Sequence, residues 1–498
     1  MPINKFHKVI MAIAFIVYLV TAINSKGYFH YDEHYQIIEF ANLKLGVNKP
    51  LDLAWEYKAQ IRPAIQPAIC VVMFKMLQGA GIADVYTLAL SLRLLTLLLA
   101  LTAISLFVHS SLHLIEPKFQ KPYILLSYLL WFLPFINVRF SSETWSGLFF
   151  LLAVAILQLN LSKQKKFVAL AGLLLGLSFL CRFQSAILIL GLLGWLIVIR
   201  KESKQKILII IGAACASLFV GFAIDGWFYQ NLVFTPWNYF NFNILKGGAS
   251  AFGILPWNYY FGTILREPTV PIGILIFVCI CILIYKKPTL LVLWVILPFL
   301  AIHSIIPHKE DRFLFPVINF IPLLMVMGCQ EIRINKNNFR YRVYRLSVFI
   351  FLTLLMVINL LGLIVMASRP MGNGAKAITY YIHNNYKGKQ VNLIYDTNTN
   401  PYNPLYLLPL KERFYKDENV KEINMQELLE REDTTIHNNQ TNLFVFEKNN
   451  IDDPNFEKII NKYNLKLKTQ SIPKWVELIS QYYDNFDSQR IIMLFGNN

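Results

Sequence analysis

Long apolar blocks are the feature that most limits how this 498-residue chain can fold. Most of them approach the roughly 20 residues that an α-helix needs to cross a bilayer. The blocks lie at about 9–23, 64–80, 86–108, 122–138, 143–160, 167–181, 184–199, 207–224, 270–285, 289–305, 313–329 and 346–367. Since 55% of the residues are hydrophobic and only 15% are charged, we predict an all-α polytopic membrane protein.

Lysine and arginine residues between the blocks predict the orientation, because loops rich in these residues stay in the cytoplasm. The basic clusters occur at 163–166, 200–206, 286–287 and 333–345. All four fall on the same side as Lys5 and Lys8 only if one early block does not cross. The best candidate is block 64–80, which contains Pro67 and Lys75 and suits an interfacial helix. We therefore predict about 11 transmembrane helices plus outer juxtamembrane helices, with the C-terminal tail outside.

The tail differs from the rest of the chain in composition. From Arg369 onward basic and acidic residues are equal in number, so the net charge of +17 lies wholly in residues 1–368. That surplus suits anionic lipid headgroups, and a nucleic-acid partner is not expected. The tail is predicted to hold buried strands at Val391–Tyr395, Asn442–Phe446 and Arg490–Phe495, and helices at 454–463 and 473–483. We predict a membrane domain at 1–369 and a small soluble α/β domain at 370–498.

An acidic pair, Asp32-Glu33, directly follows the first block and stands between His30 and His34. Consecutive residues cannot share a helix face, so only one of the two carboxylates is expected to point into a site. A partly desolvated carboxylate at a membrane boundary is a candidate general base. The alternative is a solvated loop with chance charges.

A second polar cluster, residues 308–312, lies between two later apolar blocks and reads His-Lys-Glu-Asp-Arg. Arginine and lysine side chains can bind phosphate oxygens, and Glu310 and Asp311 can hold those cations in place. The alternative is an ordinary loop of mixed charge. Polar breaks at Arg139–Glu143 and at Arg182 are further candidates, because charges at membrane depth often mark functional sites.

The loop from Asp225 to about residue 269 is rich in aromatic and amide side chains. Such a loop suits a groove for sugar faces and polyisoprenyl chains. The alternative is an aromatic belt at the level of the lipid headgroups.

Taken together, these motifs resemble the dolichyl-phosphate-mannose mannosyltransferases of GPI-anchor and N-glycan assembly, and their bacterial relatives, which have the GT-C fold. The resemblance covers roughly residues 1–370. Its most specific part is His308-Lys309-Glu310-Asp311-Arg312-Phe313 with Pro316. The family's Ser-Asn step reads Ser141-Ser142 in this chain. The other matching residues are His30, Asp32, Glu33, Tyr35, Gln36, Trp55, Glu56, Arg62, Arg139, Glu143, Asp225, Tyr229, Pro236, Asn238, Phe242, Asn243, Phe252, Gly253, Pro256 and Trp257.

The resemblance implies an inverting transfer of a hexose, with mannose favoured, from a polyprenyl- or dolichyl-phosphate donor to a glycan or lipid-linked acceptor. Asp32 would be the base and Glu33 would support it. His308, Lys309 and Arg312 would bind the donor phosphate. No metal and no other cofactor is expected. The implied substrate-binding residues are His30, Tyr35, Gln36, Glu56, Arg62, Arg139, Glu143, Asp225, Tyr229, Asn238, Asn243 and Trp257.

A transporter or flippase is the alternative function. Transporters bind their substrates near the middle of the membrane and often contain repeated halves, whereas these polar clusters lie at predicted span ends on one face.

Because nucleotide sugars are cytoplasmic, transfer on the outer face would require a lipid-carried donor. The Lys, Asn and Ile usage favours a bacterial inner membrane with a periplasmic site; in a eukaryote the site would face the lumen of the endoplasmic reticulum.

Overall fold

The computed structural model describes residues 5–159, 163–332, 340–396, 399–405, 410–426, 441–483 and 487–497, and it describes no side chains at 340–344 or 454. Helices dominate the part before residue 386. They are α1 (Lys5–Asn24), α2 (Tyr31–Glu33), α3 (Glu39–Lys44), α4 (Trp55–Ala59), α5 (Ile65–Gly79), α6 (Val85–Ser111), α7 (Pro117–Leu129), α8 (Phe132–Asn137), α9 (Ser142–Gln158), α10 (Lys165–Cys181), α11 (Ser185–Val198), α12 (Lys204–Tyr229), α13 (Thr235–Phe240), α14 (Tyr259–Arg266), α15 (Val270–Lys286), α16 (Leu291–Ile305), α17 (Ile321–Gln330), α18 (Arg340–Ser368) and α19 (Ala375–Asn385). Shorter 3₁₀ or π segments include His34–Ile38, Asn241–Leu245 and Asp311–Phe320.

Several of these helices can cross a membrane, which confirms the predicted fold class. Within the described residues, five are long and apolar enough on their own: Lys5–Asn24, Val85–Leu114, Lys204–Tyr229, Asp311–Gln330 and Arg345–Ser368. Helices α15 and α16 pass the same test as a pair bent by 117°. Helix α5 has 15 residues and is one of the shorter apolar helices among the described residues, together with α9 and α11; its interfacial position stays a prediction. The count of about 11 spans stays a prediction, and most of the basic cluster at 333–345 lies outside the described residues.

The apolar block at 122–138 is not one helix, as its composition suggested, but two. Helix α7 ends at Leu129 and α8 begins at Phe132. Pro134 has no N–H to donate to the carbonyl of Leu130, four residues earlier, so the helical bonding is interrupted there. The Trp131 N–H in the break donates instead to Asn359 Oδ1 at 2.8 Å.

By contacts the chain divides into two compact units. The first, the helical unit, comprises Met1–Ala22, Ala59–Ala68 and Leu92–Ala367. The second, the tail unit, comprises Ile23–Lys58, Ile69–Ser91 and Ser368–Asn498. The tail unit thus contains the acidic pair as well as the predicted soluble tail. The boundary proposed at residue 370 stays a prediction.

Close approach of backbones shapes the interior of the helical unit. Helix α9 packs on α10 and on the 3₁₀ segment Asp311–Phe320. A Cβ added to Gly147 of α9 would lie 2.7 Å from the Cα of Pro316, so only glycine permits this contact. Small residues at helix contacts are typical of membrane proteins. Because Glu143 and Arg312 each lie four residues before this contact, Gly147 brings their side chains within reach of each other.

A five-stranded sheet forms the core of the C-terminal part of the tail unit. Its strands are β1 (Val391–Tyr395), β2 (Val420–Asn424), β3 (Thr441–Glu447), β4 (Lys466–Gln470) and β5 (Ile492–Gly496), in the order β2-β1-β3-β5-β4. Strand β1 is parallel to β2 and β3, and β5 is antiparallel to β3 and β4. Helix α19 covers one face and α20 (Pro454–Lys462) the other.

The predicted strands β1 and β3 and both tail helices, α20 and α21 (Lys474–Ser480), are confirmed. The third predicted strand is also present, beginning at Ile492 rather than Arg490. Strands β2 and β4 were not predicted. These two strands lie at the edges of the sheet and each contains two charged residues, and such charges protect an edge from further pairing.

Candidate active site

The acidic pair lies on a single helical turn, α2, and its two carboxylates have different surroundings. His30 caps the turn, since its Nδ1 accepts the Asp32 N–H at 3.2 Å. The Asp32 side chain is 21% exposed. Glu33 is buried, and its carboxylate accepts the Phe29 N–H at 3.4 Å. The two acids therefore diverge, as predicted for consecutive residues, and Asp32 is the one that a solute can reach.

A π-helical segment, His34–Ile38, follows the acidic turn. Such segments are frequent at functional sites. It directs the predicted substrate residues Tyr35 and Gln36 inward, where both are buried. The Gln36 amide donates to Glu56 Oε1 at 2.8 Å, so two of the predicted substrate residues are joined. The Tyr35 hydroxyl donates to Glu412 at 3.4 Å.

Glu39 is a buried acid that the sequence analysis did not single out. Its Oε1 accepts the backbone N–H groups of Arg413 and Phe414, both at 3.0 Å, and contacts His34 Nε2 at 2.8 Å. Burial by itself raises the pKa of Glu39, but the hydrogen bonds from His34, Phe414 and Asn48 outweigh it and hold that pKa below its usual value. Glu39 thereby fixes the acidic turn to the segment around residue 413.

Glu412 is the second buried acid that was missed. It contacts the ammonium of Lys376 and accepts the Tyr28 hydroxyl at 3.1 Å. Because the contacts of Glu412 join residues that are far apart in sequence, no local motif indicated them. For Glu39, the available signal was the position of an acid within the mostly apolar run that follows the acidic pair.

The arginine cluster of the helical unit joins three predicted residues: Glu143, His308 and Arg312. Glu143 Oε1 accepts from Arg182 Nη1 at 2.7 Å and from Arg312 Nη1 at 2.9 Å. Arg312 also donates to both oxygens of Glu310, and Glu310 contacts His308 Nε2 at 2.8 Å. The arginine cluster is therefore the chain Arg182–Glu143–Arg312–Glu310–His308, in which arginines and carboxylates alternate and His308 forms one end.

Local structure explains where the carboxylate at the centre of this cluster lies. Glu143 is in the first turn of α9, whose N-terminal cap is Ser141; the Ser141 hydroxyl accepts the Thr144 N–H at 3.2 Å. An acid is favourable in that position because of the helix dipole. Arg182 follows the last turn of α10, and its guanidinium lies 4.7 Å from the centre of the Phe313 ring. Both ends of the pair are thus fixed by helix termini.

Lys309, predicted to bind phosphate, contacts three carbonyl oxygens in this structure. Its ammonium donates to Ile306 at 2.6 Å, to Leu255 at 2.9 Å and to Pro307 at 3.4 Å. Burial lowers the pKa of Lys309. The side chain thereby ties the aromatic-rich loop to the turn before the arginine cluster.

Asp311 anchors the same turn from the other side. Its Oδ1 accepts the hydroxyls of Tyr259 and Thr263, both at 2.8 Å. Burial and this hydrogen bond raise the pKa of Tyr259 to about 12. The turn that carries the arginine cluster is therefore fixed by contacts on both of its flanks.

Asp225, Tyr229 and Asn238 were predicted to bind substrate, and all three contact the backbone of the short segment 60–64. This segment carries Arg62, another predicted residue, so the three side chains determine where Arg62 lies. The contacts run from the Ala64 N–H to Asp225 Oδ1 at 2.7 Å, from the Tyr229 hydroxyl to the Arg62 carbonyl at 2.7 Å and from Asn238 Nδ2 to the Gln60 carbonyl at 3.1 Å.

The remaining predicted residues are more dispersed. Arg139 is buried near the start of α9. Asn243 donates to the Tyr239 carbonyl at 3.0 Å, within its own turn. Trp257 is 68% exposed and packs on Phe261.

The fold and these two sets of residues define a multi-pass membrane protein with a small α/β domain, a partly exposed acidic turn and a buried arginine–carboxylate cluster. Residues 9–405 match the model of the Alg9-like mannosyltransferase family. The chain belongs to this family, and the predicted resemblance is confirmed.

Similar proteins include named mannosyltransferases of eukaryotes. Mannosyltransferase APTG1 of Arabidopsis thaliana is 27% identical over 310 residues, which are 60% of this chain and 54% of that protein. GPI mannosyltransferase 3 of Debaryomyces hansenii is 22% identical over 384 residues, 76% of this chain and 67% of that protein. The chain thus matches about half the length of the first relative. The solved structure of ArnT from Cupriavidus metallidurans bound to undecaprenyl phosphate is 13% identical with a TM-score of 0.48, covering 98% of this chain and 97% of that one.

Proposed function

We propose that this protein is an integral-membrane inverting glycosyltransferase. It transfers a hexose, mannose in our proposal, from a polyprenyl-phosphate-linked donor to a glycan or lipid-linked acceptor on the outer face of the membrane. Membership of the Alg9-like mannosyltransferase family is the observation that carries this proposal. A bacterial inner membrane with a periplasmic site is the proposed location.

Asp32 is the proposed catalytic base. It accepts the proton of the acceptor hydroxyl as the new bond from that oxygen to the anomeric carbon forms. Its partial exposure supports this role. Glu33, which is buried and accepts a backbone N–H, is proposed to hold the turn in place.

The bond between the anomeric carbon and the donor phosphate oxygen breaks at the same time, and its electron pair stays on the lipid phosphate. His308 and Arg312 are proposed to stabilise this developing charge, since preorganised hydrogen-bond donors are most effective where charge develops. Lys309 is the third donor of this proposal, at the base of the same turn. A lipid phosphate is already a good leaving group, so the proposed reaction uses no metal.

Replacement of Asp32 by asparagine tests the proposal. Asp32→Asn should abolish transfer of labelled mannose from a polyprenyl-phosphate donor, because the amide cannot accept the proton, while the protein still folds. Asp452→Asn, a change at an exposed aspartate of the tail unit, should retain full activity. Near wild-type turnover in purified Asp32→Asn would disprove the assignment.

A further inference from the structure

A cavity of about 640 Å³ lies wholly within the tail unit. We call it the tail pocket. One wall is formed by residues 27–31, which immediately precede Asp32, and the other walls come from segments around residues 369–376, 399–404, 447–449 and 487–492. Its volume is in the range of about 300–1,000 Å³ that is typical of small-molecule sites.

The charges around the tail pocket balance. Its lining includes the cations Arg369, Lys376 and Arg490 and the carboxylates Glu447 and Asp487. Lys376 is also paired with a third carboxylate, Glu412, which is not part of the lining. These charges together favour neither an anionic nor a cationic ligand, so a neutral polar ligand fits best.

The lining has the side chains that neutral sugars need. Asn373 and Asn449 supply amide groups, which donate and accept hydrogen bonds. Tyr31 is 41% exposed and presents an aromatic ring at the wall. An amphipathic ring of this kind packs against apolar faces while its hydroxyl reaches water. This combination matches a polyhydroxylated ligand with alternating polar and apolar faces.

The walls are preorganised. Lys376 is buried, and its ammonium donates to the Pro401 carbonyl at 2.7 Å. Asn400 is also buried; its amide donates to Glu422 Oε2 at 2.6 Å, and its Oδ1 accepts the Tyr402 N–H at 2.9 Å. Groups held in this way lose little freedom when a ligand binds, which favours affinity.

The position of the pocket relative to Asp32 gives the ligand a role. His30 and Tyr31 line the pocket, and Asp32 is the next residue, on the turn that His30 caps. We propose that the tail pocket binds the acceptor glycan and presents its reacting hydroxyl to Asp32. This inference rests on the proposed function, and it assigns to the C-terminal part of the chain the task of acceptor recognition.

Blocking the pocket at its rim tests this inference. Asn449 lines the pocket and is exposed, so Asn449→Trp can fill the cavity without disturbing the core. Asn455→Trp places the same side chain at an exposed asparagine six residues later that does not line the pocket. Binding of a soluble α-linked mannobiose is measured by saturation-transfer NMR, and the KM values for acceptor and donor are measured by transfer of labelled mannose.

We expect Asn449→Trp to weaken mannobiose binding and to raise the acceptor KM about tenfold or more, which is the loss of about 1.4 kcal/mol. The donor KM should not change, and Asn455→Trp should behave as the wild type. Unaltered acceptor KM in Asn449→Trp, equal effects of both tryptophans, or failure of the wild type to bind mannobiose would overturn the inference.

These measurements distinguish a failure of the pocket assignment from a failure of the proposed function. If the wild type binds mannobiose and Asn449→Trp does not, yet no hexose is transferred from any lipid-phosphate donor, the tail pocket stands as a glycan site and the proposed function is wrong. If transfer occurs but the acceptor KM is the same in Asn449→Trp and the wild type, the function stands and the pocket assignment is wrong.

Discussion

Glu143 is the buried carboxylate that neutralises two arginines, and its replacement by glutamine removes the charge while keeping the shape. The side chain is only 2% exposed, with Arg182 and Arg312 at 2.7 and 2.9 Å from the same oxygen. At an effective dielectric constant of about 20, each pair separated by about 4 Å between charge centres contributes about 4 kcal/mol, so about 8 kcal/mol of attraction is lost. Burying an amide costs less free energy than burying a carboxylate. This difference offsets roughly half of the lost attraction and leaves about 3–5 kcal/mol of destabilisation.

A double-mutant cycle measures this effect. Among the four charged residues Arg182, Glu143, Arg312 and Glu310, positive and negative charges are equal in number. Glu143→Gln therefore leaves this set one unit positive and Arg182→Gln one unit negative, whereas the double variant is balanced. The double variant should therefore be less destabilised than the sum of the single variants. Unfolding of the detergent-solubilised protein can be followed with a thiol-reactive fluorophore, since Cys70, Cys181 and Cys279 are buried.

The control for this cycle is Glu331→Gln, which removes a more exposed contact with Lys287 at 3.4 Å and should cost at most about 1 kcal/mol. Additive effects of Glu143→Gln and Arg182→Gln, within about 0.5 kcal/mol, would show that the two side chains are not coupled and would contradict this prediction. A loss in Glu143→Gln no larger than in the control would contradict it as well.

Two further predictions concern other carboxylates. The pKa of Glu39 is lower in the folded protein than its ordinary value of 4.5, so its contribution to stability is complete above pH 4.5 and is lost as the pH falls through the folded pKa. The stability difference between wild type and Glu39→Gln should therefore shrink below pH 4.5 in unfolding midpoints measured from pH 7 to 3; a constant difference would contradict this. Glu310→Gln should lower the donor KM without the large destabilisation of Glu143→Gln, and a raised donor KM would contradict it.

Local patterns in the sequence were sufficient for much of the fold. Apolar blocks predicted the membrane helices, and short apolar runs predicted β1, β3 and β5. The break between α7 and α8 was missed because Pro134 lies within an otherwise continuous block. Composition shows that a segment is apolar but does not reveal one missing backbone hydrogen bond. The edge strands β2 and β4 were missed because their charged residues interrupt the apolar runs from which the other strands were predicted.

Individual residues of the candidate site could be predicted from the sequence, but most of the contacts between them could not. Glu143 and Arg312 were each singled out, yet their pairing spans 169 residues and depends on the close approach at Gly147. Glu39 and Glu412 were missed because their partners come from distant segments of the tail unit. Lys309 was predicted to be a phosphate ligand from its residue type, whereas its three carbonyl contacts follow from how the loop at Leu255 folds.

The two carboxylates of the arginine cluster differ in how readily a phosphate could replace them. Glu143 is 2% exposed and lies in the first turn of α9, so its departure would leave two arginines buried without their counter-charge. Glu310 is 23% exposed and lies on a turn, and it holds both Arg312 and His308. A donor phosphodiester that displaced Glu310 would take over its contacts with Arg312 and His308 through its two unesterified oxygens, while Glu143 kept the other side of Arg312 in place. Glu310 is therefore the group that we expect a donor phosphate to exchange with, and Glu143 is the group that keeps Arg312 oriented for the exchange.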